Sequence, residues 1–454
     1  MRIAVVGAGI TGLGCAWALD RAGHEVVVYE KAGRPGGHSN TVEAPRPDGS
    51  GTVPVDTGFI VFNDRTYPNL CALFDMLGVE SRPSTMSFAV SARDGALEYS
   101  GTGLTGLFAQ RRNLARPGHW GMIRDVLRFY REAPTLLDGT VPAAEGPSLG
   151  DYLRAGRYGR AFVDDHLLPM GAAIWSATVA EMMRFPAASF VRFFANHGLL
   201  SLDDRPRWRT VAGGSRAYVA KLTAPLGDRL RTGAGVTAVA RRADGVVVRD
   251  ADGHADRFDH VVLACHADQA LAMMTAPLPE EADILGAVRF EANRAVLHAD
   301  PSLMPRRRRA WASWNYMTGR DASLTGAGDA PPKTSVTYWM NSLQGIDPAV
   351  ELFVSLNPLR EPDPARTHAA FDYDHPQFDA AAVAAQDRLG RIQGADRLWF
   401  CGAWCGYGFH EDGLSAGLAV AEALGARRPW SIEEVSPAGR NATPAGTALQ
   451  DAAE

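Results

Sequence analysis

Lysine is scarce in this sequence. Lys31, Lys221 and Lys333 stand alone among 46 basic residues, so arginine carries nearly all the positive charge, as a GC-rich coding sequence would produce. Acidic residues number 51, and the net charge is −5. A general nucleic-acid binder is usually strongly basic, so the balance argues against that class. Cysteine is also sparse. Cys15, Cys71, Cys265, Cys401 and Cys405 are scattered, odd in number and without a C-x-x-C pair. That fits a reduced, cytoplasmic protein better than a disulfide framework, and it offers no metal site. No apolar run approaches the roughly 18 residues of a spanning helix. A signal-peptide pattern is absent too, since Met1-Arg2 leads straight into a strand. Attachment to the inner face of a membrane stays open.

What is present is ordinary globular material, 46% hydrophobic and 21% charged over 454 residues. That length suggests two or three domains, or one enzyme with an inserted lobe. Residues 3–6 read as a buried parallel strand, Thr11 to Ala22 as a helix and His24 to Glu30 as a second strand, one βαβ unit. Helices are expected over Tyr67 to Leu77 and Trp120 to Tyr130. A hairpin is expected over Val236 to Arg249 around Asp244-Gly245. Asp259 to Cys265, Ser335 to Met340 and Leu398 to Gly402 read as strands, and a last helix is expected from about Gly413 to Gly425.

The fold class expected is α/β, or two-lobed α+β. Residues 1–80, 205–270 and 390–425 would form a discontinuous Rossmann-like lobe. Residues 81–204 and 271–389 would form an inserted substrate lobe with helices and a mixed or antiparallel sheet. The Pro-, Ala- and Gly-rich tail 426–454 reads as loose.

Gly7-Ala8-Gly9-Ile10-Thr11-Gly12 matches G-x-G-x-x-G between that first strand and helix, the context its mechanism demands. Gly7 allows the turn, Gly9 admits a pyrophosphate to the backbone, and Gly12 lets helix and strand approach. The helix N-terminus offers free N–H groups to the phosphates. Glu30 ends the second strand, where a carboxylate accepts from ribose hydroxyls and repels a 2′-phosphate; Lys31 follows it. A second glycine turn, Gly36-Gly37-His38, comes directly after. A simple NAD domain has no need of it. The amine-oxidase-like flavoproteins place a G-G-R turn there, and this sequence resembles that motif with His38 in place of arginine. His38 is then either a phosphate donor or a plain surface histidine.

The far end resembles the C-terminal flavin motif of the same superfamily: Gly402-Ala403-Trp404, then Gly413-Leu414-Ser415 at a helix start. The dipole of such a helix would stabilise charge on a reduced flavin. The cofactor implied is FAD. Trp404 stands where the superfamily usually has an acid, with Glu411 or Asp412 as substitutes. Thr57-Gly58 would lie against the flavin, since glycine allows close approach of a ring, and Val236 completes the cofactor set.

Val55 to Asn63, Thr66 to Asn69, Met86 to Phe88, Leu107 to Gln110, Ala173 to Ser176 and Thr337 to Asn341 narrow the resemblance. Together they look like a family of FAD-binding proteins that accompany cyclopropane fatty-acid synthases, over about residues 1–425. The resemblance implies an FAD-dependent oxidoreductase acting on CH–CH groups. One branch acts in furan fatty acid biosynthesis, which implies a desaturase of methyl-branched phospholipid acyl chains, served by a cyclopropane-synthase-like methyltransferase. More distant relatives include amine oxidases and carotenoid desaturases. Two other readings stand beside it: a non-redox, FAD-binding accessory subunit of that methyltransferase, and an oxidase of amines or other small molecules. The scarcity of lysine disfavours amine oxidation, because many amine oxidases bridge a lysine through water to the flavin.

Desaturation requires an apolar tunnel against the flavin. Phe59, Trp175, Trp339, Tyr407, Tyr338 and Phe409 are the candidate walls, each also readable as a core aromatic. Tyr338, His410 and Glu411 are the candidate proton-transfer groups. Arg306, Arg307, Arg308 and Arg309 read either as a contact for phospholipid headgroups or an acidic partner, or as a solvated turn.

Overall fold

The computed structural model describes residues 1–138, 146–201, 203, 205–319 and 335–432. Most of the tail expected to be loose lies outside these residues, as does Lys333.

Short runs of β-branched residues make a buried parallel sheet of five strands. Its order is Leu230–Arg231, Glu25–Tyr29, Arg2–Val6, His260–Leu263 and Leu398–Phe400. These strands come from widely separated parts of the chain. They can pair because each is apolar on both faces, as Val26, Val28, Val5 and Val262 are, and needs cover from above and below. The first helix, Ile10–Arg21, covers one face together with the last helix, His410–Ala423. A three-stranded antiparallel sheet, Val236–Arg242, Gly245–Asp250 and Ala255–Phe258, helps cover the other.

The last helix begins at His410, three residues before the expected Gly413. The Asp412 carboxylate accepts the Phe409 N–H at 2.9 Å and so caps the helix earlier. The other expected helices and strands lie within a few residues of their predicted positions.

The second layer is a seven-stranded mixed sheet. It runs Thr367–Gln377, Arg289–His298, Phe353–Leu356, Ser335–Trp339, Trp314–Met317, Phe88–Ala92 and Leu97–Ser100. All its pairs are antiparallel except Trp314–Met317 with Phe88–Ala92. Helices of the 103–196 region pack against it around Phe129, Phe162, Phe190 and Phe194. Among the described residues no helix is long and apolar enough to cross a membrane, and no His, Cys, Asp and Glu cluster could hold a metal ion.

Candidate active site

One cavity of about 1480 Å³ runs from the glycine turns into the helical layer. Ordinary small-molecule sites occupy roughly 300–1,000 Å³, so this one has room for a dinucleotide and a substrate together.

The two glycine turns form its first end. The Gly36 N–H donates to the Ala8 carbonyl at 2.7 Å, which ties the second turn to the first. Both need a left-handed backbone, with φ of +106° at Gly7 and +111° at Gly36. A Cβ on Gly12 would sit 1.9 Å from the Gly7 carbonyl oxygen, so Gly12 serves contact between helix and strand and does not face the cavity. A Cβ on Gly9 would meet nothing within 4 Å. The Gly9 backbone is thus bare toward the cavity it lines.

Glu30 lines the same end. It accepts the Ala8 N–H at 2.9 Å and the Ala32 N–H at 2.8 Å, which orients its carboxylate at the strand end. Ala8 itself is fully buried and spends its N–H on Glu30 rather than on a ligand, which corrects its placement in the cofactor set. Lys31 and Val236 line the cavity beside Glu30.

His38 is not a surface histidine. Its ring stacks on Tyr373 at 4.8 Å, and its Nε2 is buried without a partner among the described residues. Burial, with the nearby histidines, holds its pKa well below the usual value, so it is neutral. An orphaned buried nitrogen beside a bare glycine backbone and an oriented carboxylate is a set that fits a bound dinucleotide. Gly37, Gly402 and Ala403 complete this wall.

Several residues assigned to the flavin serve other purposes. A Cβ on Gly58 would lie 2.3 Å from the His38 carbonyl oxygen, so a neighbouring backbone already demands glycine there, although Gly58 does line the cavity. Thr57 lies outside the cavity wall, with its hydroxyl on the Asn40 carbonyl and the Tyr373 hydroxyl. Gly413 and Leu414 are buried between the last helix and the first, where a Gly413 Cβ would meet the Thr11 hydroxyl at 2.6 Å. The Ser415 hydroxyl accepts from Asn69. These three therefore hold the helix in place and do not face the cavity.

Of the three proton-transfer candidates, Glu411 is removed. Its carboxylate accepts the N–H groups of Asn69 and Leu70 at 2.9 and 3.0 Å, so it caps helix Pro68–Leu77 away from the cavity. Tyr338 lines the cavity, and its hydroxyl has no hydrogen-bond partner among the described residues; burial alone pushes its pKa up. It stands edge-on to Trp314 at 4.9 Å.

His410 lines the cavity with its ring stacked on Phe59 at 3.7 Å. Its Nε2 is 3.0 Å from both the Ser39 and Tyr218 hydroxyls, which also touch each other. Burial lowers its pKa to about 3, so it is neutral. Sequence reasoning missed Ser39 and Tyr218. Nothing in their spacing links them to a histidine 371 and 192 positions away.

Phe59, Trp175, Tyr407 and Phe409 line the cavity. Trp339 does not. Neighbours on a strand face opposite ways, so with Tyr338 inward Trp339 turns out toward Trp311, 5.4 Å away. The walls missed by sequence reasoning are Met122, Ile123, Val126 and Tyr130 of helix Pro117–Glu132, with half-exposed Leu127 at their edge. Their spacing is one helical face, legible as amphipathic but silent about what it faces.

A parallel sheet carrying a glycine-rich pyrophosphate turn and a terminal carboxylate, joined to a large chamber, is the arrangement of a dinucleotide site beside a substrate pocket. The chain belongs to the family of flavin containing amine oxidoreductases, whose sequence profile matches residues 10–289.

It is 28% identical over 289 residues to AofH, named a flavin-containing monoamine oxidase, of Mycobacterium tuberculosis. That match covers 62% of this chain and 60% of the relative. Among solved structures, cyclohexylamine oxidase from Brevibacterium oxydans superposes with a TM-score of 0.66 at 16% identity, over 93% of this chain and 99% of that one. A CLA-producing fatty acid isomerase from P. acnes superposes at 0.63 and 14% identity, over 92% and 96%. At these identities the two structures share the fold.

Proposed function

We propose that the protein desaturates methyl-branched fatty acyl chains of phospholipids. The observation that carries the reading is the apolar wall of the chamber made by Met122, Ile123, Val126 and Tyr130 with Met170, Ile174 and Trp175. Of the two lysines in the described residues, Lys31 lines the cavity, at the Glu30 end, and Lys221 does not line it. A cationic amine gains little from such a wall, whereas an alkyl chain gains about 0.8 kcal/mol per buried CH₂. The sequence resemblance to proteins that accompany cyclopropane synthases supplies the branch: a SAM-dependent methyltransferase would make the substrate.

Gly7, Gly9, Glu30, Gly37, His38, Gly402 and Ala403 would hold FAD. When bound, FAD supplies a two-electron acceptor for a hydrogen that leaves carbon with its bonding pair. The apolar helix face aligns the chain and excludes water. The adjacent carbon would give up a proton, and His410, neutral and on the cavity wall, would accept it. A base this weak works only in step with loss of the other hydrogen, and Ser39 and Tyr218 then share the charge. A double bond remains.

Anaerobic mixing of the yellow holoprotein with methyl-branched phospholipid tests this. The expected result is loss of the flavin's visible absorbance and a product two mass units lighter. Bleaching by soluble amines, with peroxide release in air and no response to lipid, would instead establish an amine oxidase. Flavin that no lipid or amine bleaches, in a protein that co-purifies with the methyltransferase, would make it an accessory subunit.

A further inference from the structure

Eight large hydrophobic side chains are exposed among the described residues, and four of them crowd into one segment. Leu104, Leu114, Trp120 and Leu127 are 75%, 54%, 49% and 51% exposed. They share one face. The Phe108 ring lies 5.3 Å from Trp120, and the Phe108 N–H donates to the Leu104 carbonyl. Trp120 Nε1 donates to the Leu114 carbonyl at 2.9 Å. Leu127 follows Trp120 two turns later on the same helix. Leu127 also lines the cavity, so its helix borders both this face and the chamber. Exposed apolar surface of this kind marks an interaction site.

The charge around it names the partner. Arg111, Arg112, Arg116, Arg124, Arg128 and Arg131 stand against Asp125 and Glu132, +4 over residues 101–132 in a chain of net −5. Arg124 pairs with Asp125, and Arg128 and Arg131 with Glu132, which leaves Arg111, Arg112 and Arg116 as the cations of this face. Arg112 and Arg116 both donate to the Ala96 carbonyl, at 2.6 and 3.1 Å, so two cations crowd one neutral oxygen. An anion there would relieve their repulsion.

The arginine run singled out in the sequence adds less. Arg306 pairs with Asp94, Arg307 with Glu98 and Arg308 with Glu351. The turn holding Arg309 touches helix Gly103–Leu107 and so borders the same face.

We propose that this face docks on an anionic phospholipid bilayer, with the leucines and Trp120 among the acyl chains and the arginines at the phosphates. The chamber then receives a chain directly from the membrane. The inference rests on the acyl-chain reading above.

The FAD-loaded protein should sediment with phosphatidylcholine vesicles that contain phosphatidylglycerol, not with phosphatidylcholine alone, and salt should release it. The combined variant Leu104→Ser, Trp120→Ser and Leu127→Ser should lower the partition coefficient about tenfold, and Arg112→Gln with Arg116→Gln about as much. Arg242→Gln on strand Val236–Arg242 should leave it unchanged. Retained yellow flavin reports that each variant is folded.

Absent binding to anionic vesicles, or equal binding by the triple variant, would overturn the proposal. So would a dimer that the triple variant splits, since the face would then be a subunit contact. Bleaching by detergent-dispersed branched fatty acid separates the two ideas. Bleaching without docking sinks this inference alone, and docking without bleaching sinks the chemistry alone.

Discussion

At the scale of single residues, glycines that look alike in a motif do different work. Gly9 faces open space, so Gly9→Val should fold yet lose FAD, read as a colourless protein with an unchanged far-UV spectrum. Gly12→Ala drives a methyl into the Gly7 carbonyl and should cost about 3 kcal/mol by denaturant titration as well as the cofactor.

Glu411 gives a pH signature. Burial raises its pKa from 4.5 to about 7 despite its hydrogen bonds. A carboxyl whose folded pKa is raised stabilises the fold below the unfolded value and loses that contribution as pH rises toward the folded one. Stability should therefore fall between about pH 4.5 and 7, by something on the order of 2 kcal/mol. In Glu411→Gln this slope should flatten. Denaturation midpoints at pH 5 and pH 7.5 check it, and an unchanged slope would locate the proton elsewhere.

At the scale of elements, the decisive contact is between the first and last helices. A Gly417 Cβ would come 2.3 Å from the Thr11 carbonyl, so these backbones nearly touch. Gly417→Ala should push the last helix outward, lower the melting temperature and weaken FAD retention together, since Ala403 and His410 on the cavity wall move with it. The βαβ unit, the two glycine turns and the helix of residues 117–132 were all legible in sequence, because their signals are local: apolar strands, glycine spacing and helical period. The role of Gly413 to Ser415 was not. A helix-start motif looks the same whether it points at a ligand or at a neighbouring helix.

At the scale of the whole molecule, the acyl-chain proposal makes the chamber the source of specificity. Val126→Trp should block it and raise KM for long acyl substrates about tenfold with little change for short ones, which steady-state kinetics over chain length would show. Tyr338→Phe should change turnover less than about threefold, because its hydroxyl has no hydrogen bond to lose among the described residues. A loss of a hundredfold or more would put Tyr338 back among the catalytic groups.

The sequence by itself determined the dinucleotide turn and the carboxylate at the strand end, since these lie within about thirty positions of one another, while the cofactor class came from resemblance to motifs at both ends of the chain. Only the tertiary structure decided which candidates face the chamber. Strand alternation turned Tyr338 inward and Trp339 outward, and a helix cap claimed Glu411. His410 met Ser39 and Tyr218 because strands far apart in the chain share one sheet. Such pairings follow from burying both faces of that sheet at once, a condition no local window contains.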